Sequence, residues 1–389
     1  FEMKRKGVRV DLDKAEIIKN DLHKQEKKLL QSIKKLSGTS VEIWAAASVA
    51  KAFDALQIPY EHTETGKPSF DKNFLSSHDS PLAQMVVKAR EINKARTTFI
   101  DSILKHSHRG RIHAEIHQMR SDQGGTVTGR FSYSNPNLQQ IPARNAIIGP
   151  LIRSLFIPEK GCKWGIFDYS QQEPRLIVHY AAMKTFSGAS KFVEAYQEEQ
   201  STDFHQLVAE MADIGRKQAK TINLGLFYGM GKGKLMSQLG VDLETATELL
   251  AAYHERVPFV KQLMNDTMNK ASKKGYLSTL LGRRCRFDLW EPSNEWGSKA
   301  LPLKDAQREY GESTIKRAWT YKALNRLIQG SAADQTKQAM VNLHKEGYLA
   351  HIQVHDELDF SIASEKDSAN IKDIMENCVE LLVPSKVDV

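Results

Sequence analysis

Apolar positions change their period along this chain, and the changes divide it. Over the first hundred residues they recur every three or four places. Leu22, Leu29, Leu30, Ile33 and Leu36 form one stripe among many lysines, the mark of an amphipathic helix with a basic outer face. That helix is predicted to start near Asp11 or Asp13, after a short extended piece at 8–10. Helix capping accounts for this pair of acids. Further helices are predicted over 45–56 and over 81–104, the latter as one helix or a pair, with residues 62–73, HTETGKPSFDKN, as a polar loop between them.

From His106 the period shortens. Residues 110–119, GRIHAEIHQM, alternate in the manner of a strand, and a stretch rich in glycine and amides runs on to Arg144. His106, His108, His113 and His117 invite a metal reading. Alternation sends His113 and His117 to one face with Glu115 but leaves the other two in a turn, and no cysteine joins them, so no metal site is expected there. The stretch itself is more informative. Thr126, Thr128, Arg130, Ser132, Asn137, Gln139 and Gln140 offer many uncharged hydrogen-bonding groups, which can reach base edges and sugars where lysine reaches only phosphate.

The centre of the pattern is residues 165–176, GIFDYSQQEPRL. An apolar run, Trp164 to Phe167, delivers Asp168 to a strand end, and a helical stretch follows from Leu176. Ser170 with Glu173 also fits a capping box, in which case these polar residues merely start the helix. Residues 191–212 read as one helix that contains Asp203 and His205. In 216–229, RKQAKTINLGLFYG, residues four apart drift by only about 40° around a helix, so Arg216, Lys220, Leu224 and Tyr228 make one slanting stripe. Each alone is ordinary; together they suit a triphosphate, with cations for the phosphates, an apolar surface for sugar and base, and a ring at the far end. The following GMGKGKL lacks P-loop spacing and has Leu235 where Ser or Thr should stand, so it reads as a turn.

Beyond it, 241–274 is predicted helical, and 276–287, YLSTLLGRRCRF, sets Arg283, Arg284 and Arg286 beside a glycine. Residues 290–303 read as a loop. A helix over 323–343 carries Gln329 and a run of small residues. In 351–362, HIQVHDELDFSI, two alternating strands meet at His355 and Asp356, so Asp356 and Glu357 are expected at a hairpin tip.

Composition narrows the class. A chain of 389 residues, 41% hydrophobic and 26% charged, can bury more than one core and suggests two or three subdomains. Its 55 Lys and Arg against 47 Asp and Glu give a net charge of +8, which favours a polyanionic partner. The lysine-rich first hundred residues fit a helical arm along a phosphate backbone and equally a solvated helical domain. No apolar run approaches the roughly 18 residues of a membrane span, so a soluble, cytoplasmic protein is expected. Cys162, Cys285 and Cys378 are odd in number and far apart, which argues against a disulfide framework or structural zinc. The chain begins with Phe1 rather than Met, so a piece of a longer protein is expected.

Asp168 and Asp356, both at expected strand ends, can meet only in the fold. Paired carboxylates suit two Mg²⁺ ions, which take oxygen ligands and keep waters and substrate phosphates for the rest. Such a pair stabilises both oxygens of an in-line phosphoryl displacement.

Taken together these segments resemble the polymerase domain of family A DNA polymerases, the DNA polymerase I type. DYSQQEPR at 168–175, RKQAKTINLGLFYG at 216–229 and VHDEL at 354–358 are similar to its three main motifs. TGRFSYSNPNLQQIP at 128–142, LLGRRCRF at 280–287 and QGSAAD at 329–334 are similar to further motifs in the family's order, over nearly the whole chain. The resemblance implies an α+β right-hand fold with an antiparallel palm sheet, helical fingers and a helical thumb: thumb 1–105, palm 106–185 and 350–389, fingers 186–349. It implies that Asp168 and Asp356 bind the two Mg²⁺ ions, for which Mn²⁺ can stand in, with the Tyr169 carbonyl and Glu357 beside them. Arg216, Lys220, Leu224, Tyr228, His205, Gln171 and Glu173 would surround the dNTP, Lys220 as a catalytic cation and Glu173 as the block to a ribose 2′-hydroxyl. Arg130, Asn137, Gln139, Gln140, Arg144, Arg283, Arg284, Gln329 and His355 would contact primer-template DNA.

Three positions depart from the family. Gln172 and Pro174 stand where aliphatic residues are usual, as they do in phage members, and Leu224 stands where Phe or Tyr is usual. Pro174 is tolerable because it falls in the first helical turn. The resemblance also implies a monomer acting in the cytoplasm of a bacterial or phage-infected cell, with an organelle as the alternative setting. The partner acids of a proofreading site are missing from the sequence, so an exonuclease domain is expected upstream in the parent protein if at all, and a short C-terminal tail is expected beyond Val389. Two other functions compete: a single-subunit RNA polymerase, which a carboxylate at Glu173 disfavours, and a silent nucleic-acid-binding module, which has no need of a metal-ligand pair.

Overall fold

The computed structural model describes residues 1–120, 124–142, 145–227, 230, 232–295 and 297–389. Its contacts form two compact units, Phe1–Glu115 with Tyr133–Gly161, and Ile116–Ser132 with Cys162–Val389.

In the first unit the Leu12–Ser37 helix starts where the Asp11 carboxylate accepts the Lys14 amide at 2.9 Å, and it stops at Gly38, whose φ of 70° is easy only for glycine. Ala15, Ile18, Leu22 and Ile33 are buried on its inner face, and so is Glu26. Glu26 is satisfied by Asn93 Nδ2 at 2.7 Å and Arg96 Nε at 3.1 Å, which is what lets a carboxylate sit on an apolar face. Leu36 departs from the expected stripe and is exposed. The expected long helix is helical from Pro81 to His106, but residues Ala95–Ile100 form a π-helical turn between the α-helices Pro81–Lys94 and Asp101–His106.

The supposed loop at 62–73 holds more structure than its composition signals. Glu61–His62 and Pro68–Ser69 pair as strands, and the Lys72–Ser77 helix is capped by Asp71, which accepts the Phe74 amide at 2.8 Å. Ile33, Val49, Phe53, Phe70, Leu82 and Val86 form the local core. A small antiparallel sheet runs Ser107–His108, Arg111–Ile112, Val8–Val10, Phe156–Ile157.

The second unit is built on an antiparallel sheet in the order Ile352–Val354, Glu357–Ile362, Lys163–Tyr169, Val387–Asp388. Leu176, Ile177, Val178 and Ala181, from the Gln172–Met183 helix, join Phe192, Phe204, Phe227, Tyr253, Phe259 and Ile328 in one buried cluster. Four expectations need correction. The helix foreseen over 191–212 is two, Ala189–Glu198 and Phe204–Ala212, because Asp203 caps a fresh start. The one foreseen over 241–274 is also two, Leu243–Arg256 and Pro258–Lys274, since Pro258 has no amide hydrogen to continue the first. The GMGKGKL turn is helical from Lys232, in Lys232–Leu239. Residues 290–303 are not simply loop: Leu289–Pro292 pairs with Leu301–Pro302 and with Ile315–Arg317.

Among the described residues no helix is long and apolar enough to cross a membrane, and the three cysteines are free thiols.

Candidate functional site

Alternation along the Lys163–Tyr169 strand buries Phe167 and Tyr169 and turns Asp168 the other way. The Tyr169 hydroxyl anchors this end by donating to the Met375 carbonyl at 2.7 Å. Next to it, the turn between Ile352–Val354 and Glu357–Ile362 consists of His355, with φ 58°, and Asp356. The Tyr169 amide donates to the Asp356 carbonyl at 3.3 Å, tying that turn to the strand end. Glu357 is the register partner of Asp168 on one side and Asp388 on the other. Direct partners project to the same face, so these three carboxylates form a row across three strands.

Like charges so close are unfavourable. The Asp168 carboxyl is pushed up to about 7, first by loss of hydration and then by Asp356, Glu357 and Asp388. Burial likewise raises Asp356, while Arg130 and His355 pull it down. The imidazole of His355 is lowered by desolvation and by Arg130, against Asp356 and Glu173.

After the strand the chain makes no capping box. The Gln172–Met183 helix begins at Gln171, which has φ 53° and gives no side-chain cap. Glu173 instead accepts from Arg130 Nη2 at 2.7 Å. The Gln171 amide is committed to the turn before the Phe204–Ala212 helix: its oxygen accepts from the Phe204 amide at 2.8 Å and Tyr196 at 3.2 Å, and its nitrogen donates to the Thr202 carbonyl at 2.9 Å. Arg175, 2% exposed, donates to the carbonyls of Ser170, Pro384 and Gln200 and lies 4.3 Å from the Tyr196 ring.

Gln172, where the sequence departs from the resembled pattern, is buried. Its amide nitrogen donates to Gln335 Oε1 at 3.1 Å and to the Ala332 carbonyl and Thr336 Oγ1 at 3.3 Å each, and Gln335 in turn donates to Ser385 at 2.8 Å.

The stripe expected at 216–228 lies on the Arg216–Phe227 helix. Arg216 binds Asp203, Lys220 is exposed, and Leu224 is half-buried against the large core cluster. Tyr228 lies outside the described residues. His205 is buried beneath this helix, where its Nδ1 receives the Asn223 amide at 2.9 Å and Asn223 Oδ1 receives the Tyr253 hydroxyl at 2.5 Å. Burial pushes its pKa down to about 4, and Lys220 and Arg216 add to the effect while Asp203 opposes it. The ring is therefore neutral, with its proton on Nε2.

Of the expected DNA contacts, Arg283 faces inward. Its guanidinium donates to Asp334 at 3.1 Å and to the carbonyls of Thr128 at 2.7 Å and Gly330 at 2.9 Å. A Cβ at residue 330 would fall 2.9 Å from Arg283 Nη2 and 2.7 Å from Thr279 Cγ2, so a side chain there would displace one or both. Arg284 is exposed and stacks 4.7 Å from the Tyr276 ring. Gln329 is half-buried on the Ala323–Lys345 helix. In the first unit Asn137 caps the turn Leu138–Gln140 by accepting the Gln139 amide at 3.1 Å, and Gln140 is exposed. Arg144 lies outside the described residues. Sequence reasoning passed over Asp388, Asn223 and Gln335, whose partners are all remote in the chain. Asp203, expected inside a single helix, was legible neither as a helix cap nor as the partner of Arg216.

Residues 12–389 match the model of DNA polymerase family A. A DNA-directed DNA polymerase of Pseudomonas phage M6 is 36% identical over all of this chain and 62% of its own length. Thermostable DNA polymerase I of Thermus filiformis is 30% identical over all of this chain and 45% of its own. Among solved structures, the polymerase domain of Pol1 from M. smegmatis, in complex with DNA primer-template and dNTP, matches with a TM-score of 0.78 at 28% identity, over 100% of this chain and 67% of that one. The chain thus spans less than two thirds of the phage protein and under half of the Thermus one, and its α+β architecture is a polymerase fold. With a family match that runs from Leu12 to the last residue, this chain belongs to DNA polymerase family A.

Proposed function

We propose that the chain is a template-directed DNA polymerase that joins the α-phosphate of a dNTP to a primer 3′-hydroxyl. The observation that carries this reading is the carboxylate site at the end of the central sheet, Asp168 beside Glu357 with Asp356 in the adjoining turn, in a chain of this family. Binding alone has no use for carboxylates gathered at one strand end, where loss of hydration and then mutual repulsion raise Asp168 to about 7.

The donor set fits Mg²⁺. Among the described residues no three His, Cys, Asp or Glu side chains form a cage of their own. A hard ion that draws a few protein oxygens and completes its shell from water and phosphate needs none. Asp168 and Asp356 would hold two such ions, with the Tyr169 carbonyl and Glu357 beside them. Mg²⁺, or Mn²⁺ in its stead, would supply charge for the attacking and leaving oxygens.

In the reaction the primer oxygen bonds to the α-phosphorus as the bridge to the β-phosphate breaks. The hydroxyl gives its proton to solvent water, and pyrophosphate leaves. Arg216 and Lys220 neutralise the phosphates; the neutral His205 supports them from beneath. Glu173, held by Arg130, would block a ribose 2′-hydroxyl, and Leu224 and Tyr228 would contact the sugar and base of the dNTP. Gln171 acts by holding the turn next to His205. Residues 1–105 serve as thumb, 106–185 and 350–389 as palm and 186–349 as fingers. Asn137, Gln139, Gln140, Arg144, Arg283, Arg284, Gln329 and His355 would meet primer-template DNA. The protein works as a monomer in the cytoplasm.

Primer extension with Mg²⁺, comparing dNTPs with NTPs, tests the reading. Template-dependent extension with dNTPs supports it; extension with NTPs alone favours an RNA polymerase, and no extension at all favours a binding module.

A further inference from the structure

Asp203 has two tasks at once. Its Oδ1 accepts the backbone amides of His205 at 2.8 Å and Gln206 at 3.2 Å, which caps the Phe204–Ala212 helix and fixes the carboxylate to the backbone. Its Oδ2 receives Arg216, from Nε at 3.0 Å and from Nη2. The guanidinium is therefore gripped along its Nε edge, and among the described residues Nη1 has no ion-pair partner.

We infer that Asp203 is a positioning residue for the triphosphate: it holds Arg216 at the head of its helix so that the Nη1 side of the fork stays available to a phosphate. The inference rests on the proposed role of Arg216. A free arginine side chain has many rotamers, and confining it on binding weakens affinity. An arginine already pinned to a backbone-anchored carboxylate avoids most of that loss.

The opposing effect is charge, since Asp203 neutralises the cation that the phosphates need. The pair is partly open, with side chains 50% and 33% exposed, so water and salt screen the repulsion between Asp203 and the phosphates. Orientation is not screened, and it decides the sign.

The test measures equilibrium binding of the matching dNTP, with Mg²⁺, to the enzyme on a primer-template whose primer ends in a dideoxynucleotide, so that no turnover occurs. Asp203→Asn and Asp203→Ser both keep a helix-capping oxygen while removing the carboxylate that grips Arg216. Either should weaken dNTP binding about threefold to tenfold, in keeping with one newly mobile side chain, and should do so only when Arg216 is present. In an Arg216→Ala background the same changes should have no effect. In extension assays the loss should appear in KM more than in kcat, which a general loss of fold would not produce. Binding as tight as wild type, or tighter, in both Asp203 variants would overturn the inference and make Asp203 a competitor for Arg216. If Arg216→Ala alone binds dNTP as well as wild type, the triphosphate role of Arg216 fails and the inference falls with it. That outcome is distinguishable, because it appears without any change at Asp203.

Discussion

Asp168 and Glu357 face each other as direct partners on adjacent antiparallel strands, an arrangement that a sheet avoids unless something else requires it. Asp388 repeats the conflict on the other side. The row of carboxylates is thus destabilising to the free protein.

That gives the first prediction. Asp168→Asn should abolish extension yet raise the melting temperature of the metal-free protein at pH 8. The sign follows from linkage: Asp168 titrates near 7 in the folded state, against an ordinary carboxylate value of 3.8. The folded state then holds more protons than the unfolded one between these values, and stability falls as pH rises through that window. The variant should lose this fall, and primer-template affinity should stay within a few fold because phosphate contacts dominate it. Melting curves from pH 4 to 8, with and without Mg²⁺, check it; unchanged pH dependence in the variant would sink the argument.

Much of this was legible beforehand, and the reason is local. The strand that ends in Asp168 and the tight turn at His355–Asp356 are announced by alternation over a few residues, and the Arg216–Phe227 helix by its own period. Asp388 was not legible, since its place in the row depends on a strand pairing that spans most of the chain. Arg283 was expected as a DNA contact, and what its guanidinium meets within the fold, Asp334 and two distant carbonyls, was not legible. Gln172 read as an anomaly at an apolar position until Gln335 and Thr336 supplied its partners.

Gln172 also yields a stability prediction. Gln172→Leu removes the donor to Gln335 Oε1 in a buried setting, and a buried acceptor left without its donor costs about 1 to 3 kcal/mol. Gln335→Met in the same protein removes that acceptor. The double variant should therefore be less destabilised than the sum of the single ones, in a cycle read by denaturant midpoints. Simple additivity would mean that the two amides do not act as a unit.

Glu173→Ala should admit ribonucleotides, because it removes the side chain proposed to stand against the 2′-hydroxyl. It also releases Arg130, so Arg130→Ala is the necessary companion. If the selectivity comes from Glu173 itself, Arg130→Ala should leave a partial preference for dNTPs that Glu173→Ala lacks. Single-nucleotide incorporation of matched dNTP and NTP measures both. An equal, complete loss in the two variants would assign the selectivity to the ion pair as a whole.

Leu224 is half-buried against the large cluster that includes Phe204, Phe227 and Tyr253, so part of its side chain packs the helix and part is open. Its spacing from Lys220 puts it one turn further along the stripe, on the side proposed for the sugar. An aliphatic group there offers no hydroxyl to stand in for a missing 3′-hydroxyl, so the wild type should discriminate against dideoxynucleotides. Leu224→Tyr supplies a phenol, and a net hydrogen bond of about 1 to 1.5 kcal/mol corresponds to roughly a fivefold to tenfold rise in the dideoxy to deoxy incorporation ratio. Leu224→Phe controls for the added bulk, which strains the packed half of the site equally but brings no donor. The ratio should rise for Tyr and hardly move for Phe. Equal ratios in wild type and both variants would mean that Leu224 only packs its helix, and a rise shared by Phe and Tyr would mean that ring size, not the hydroxyl, sets the preference.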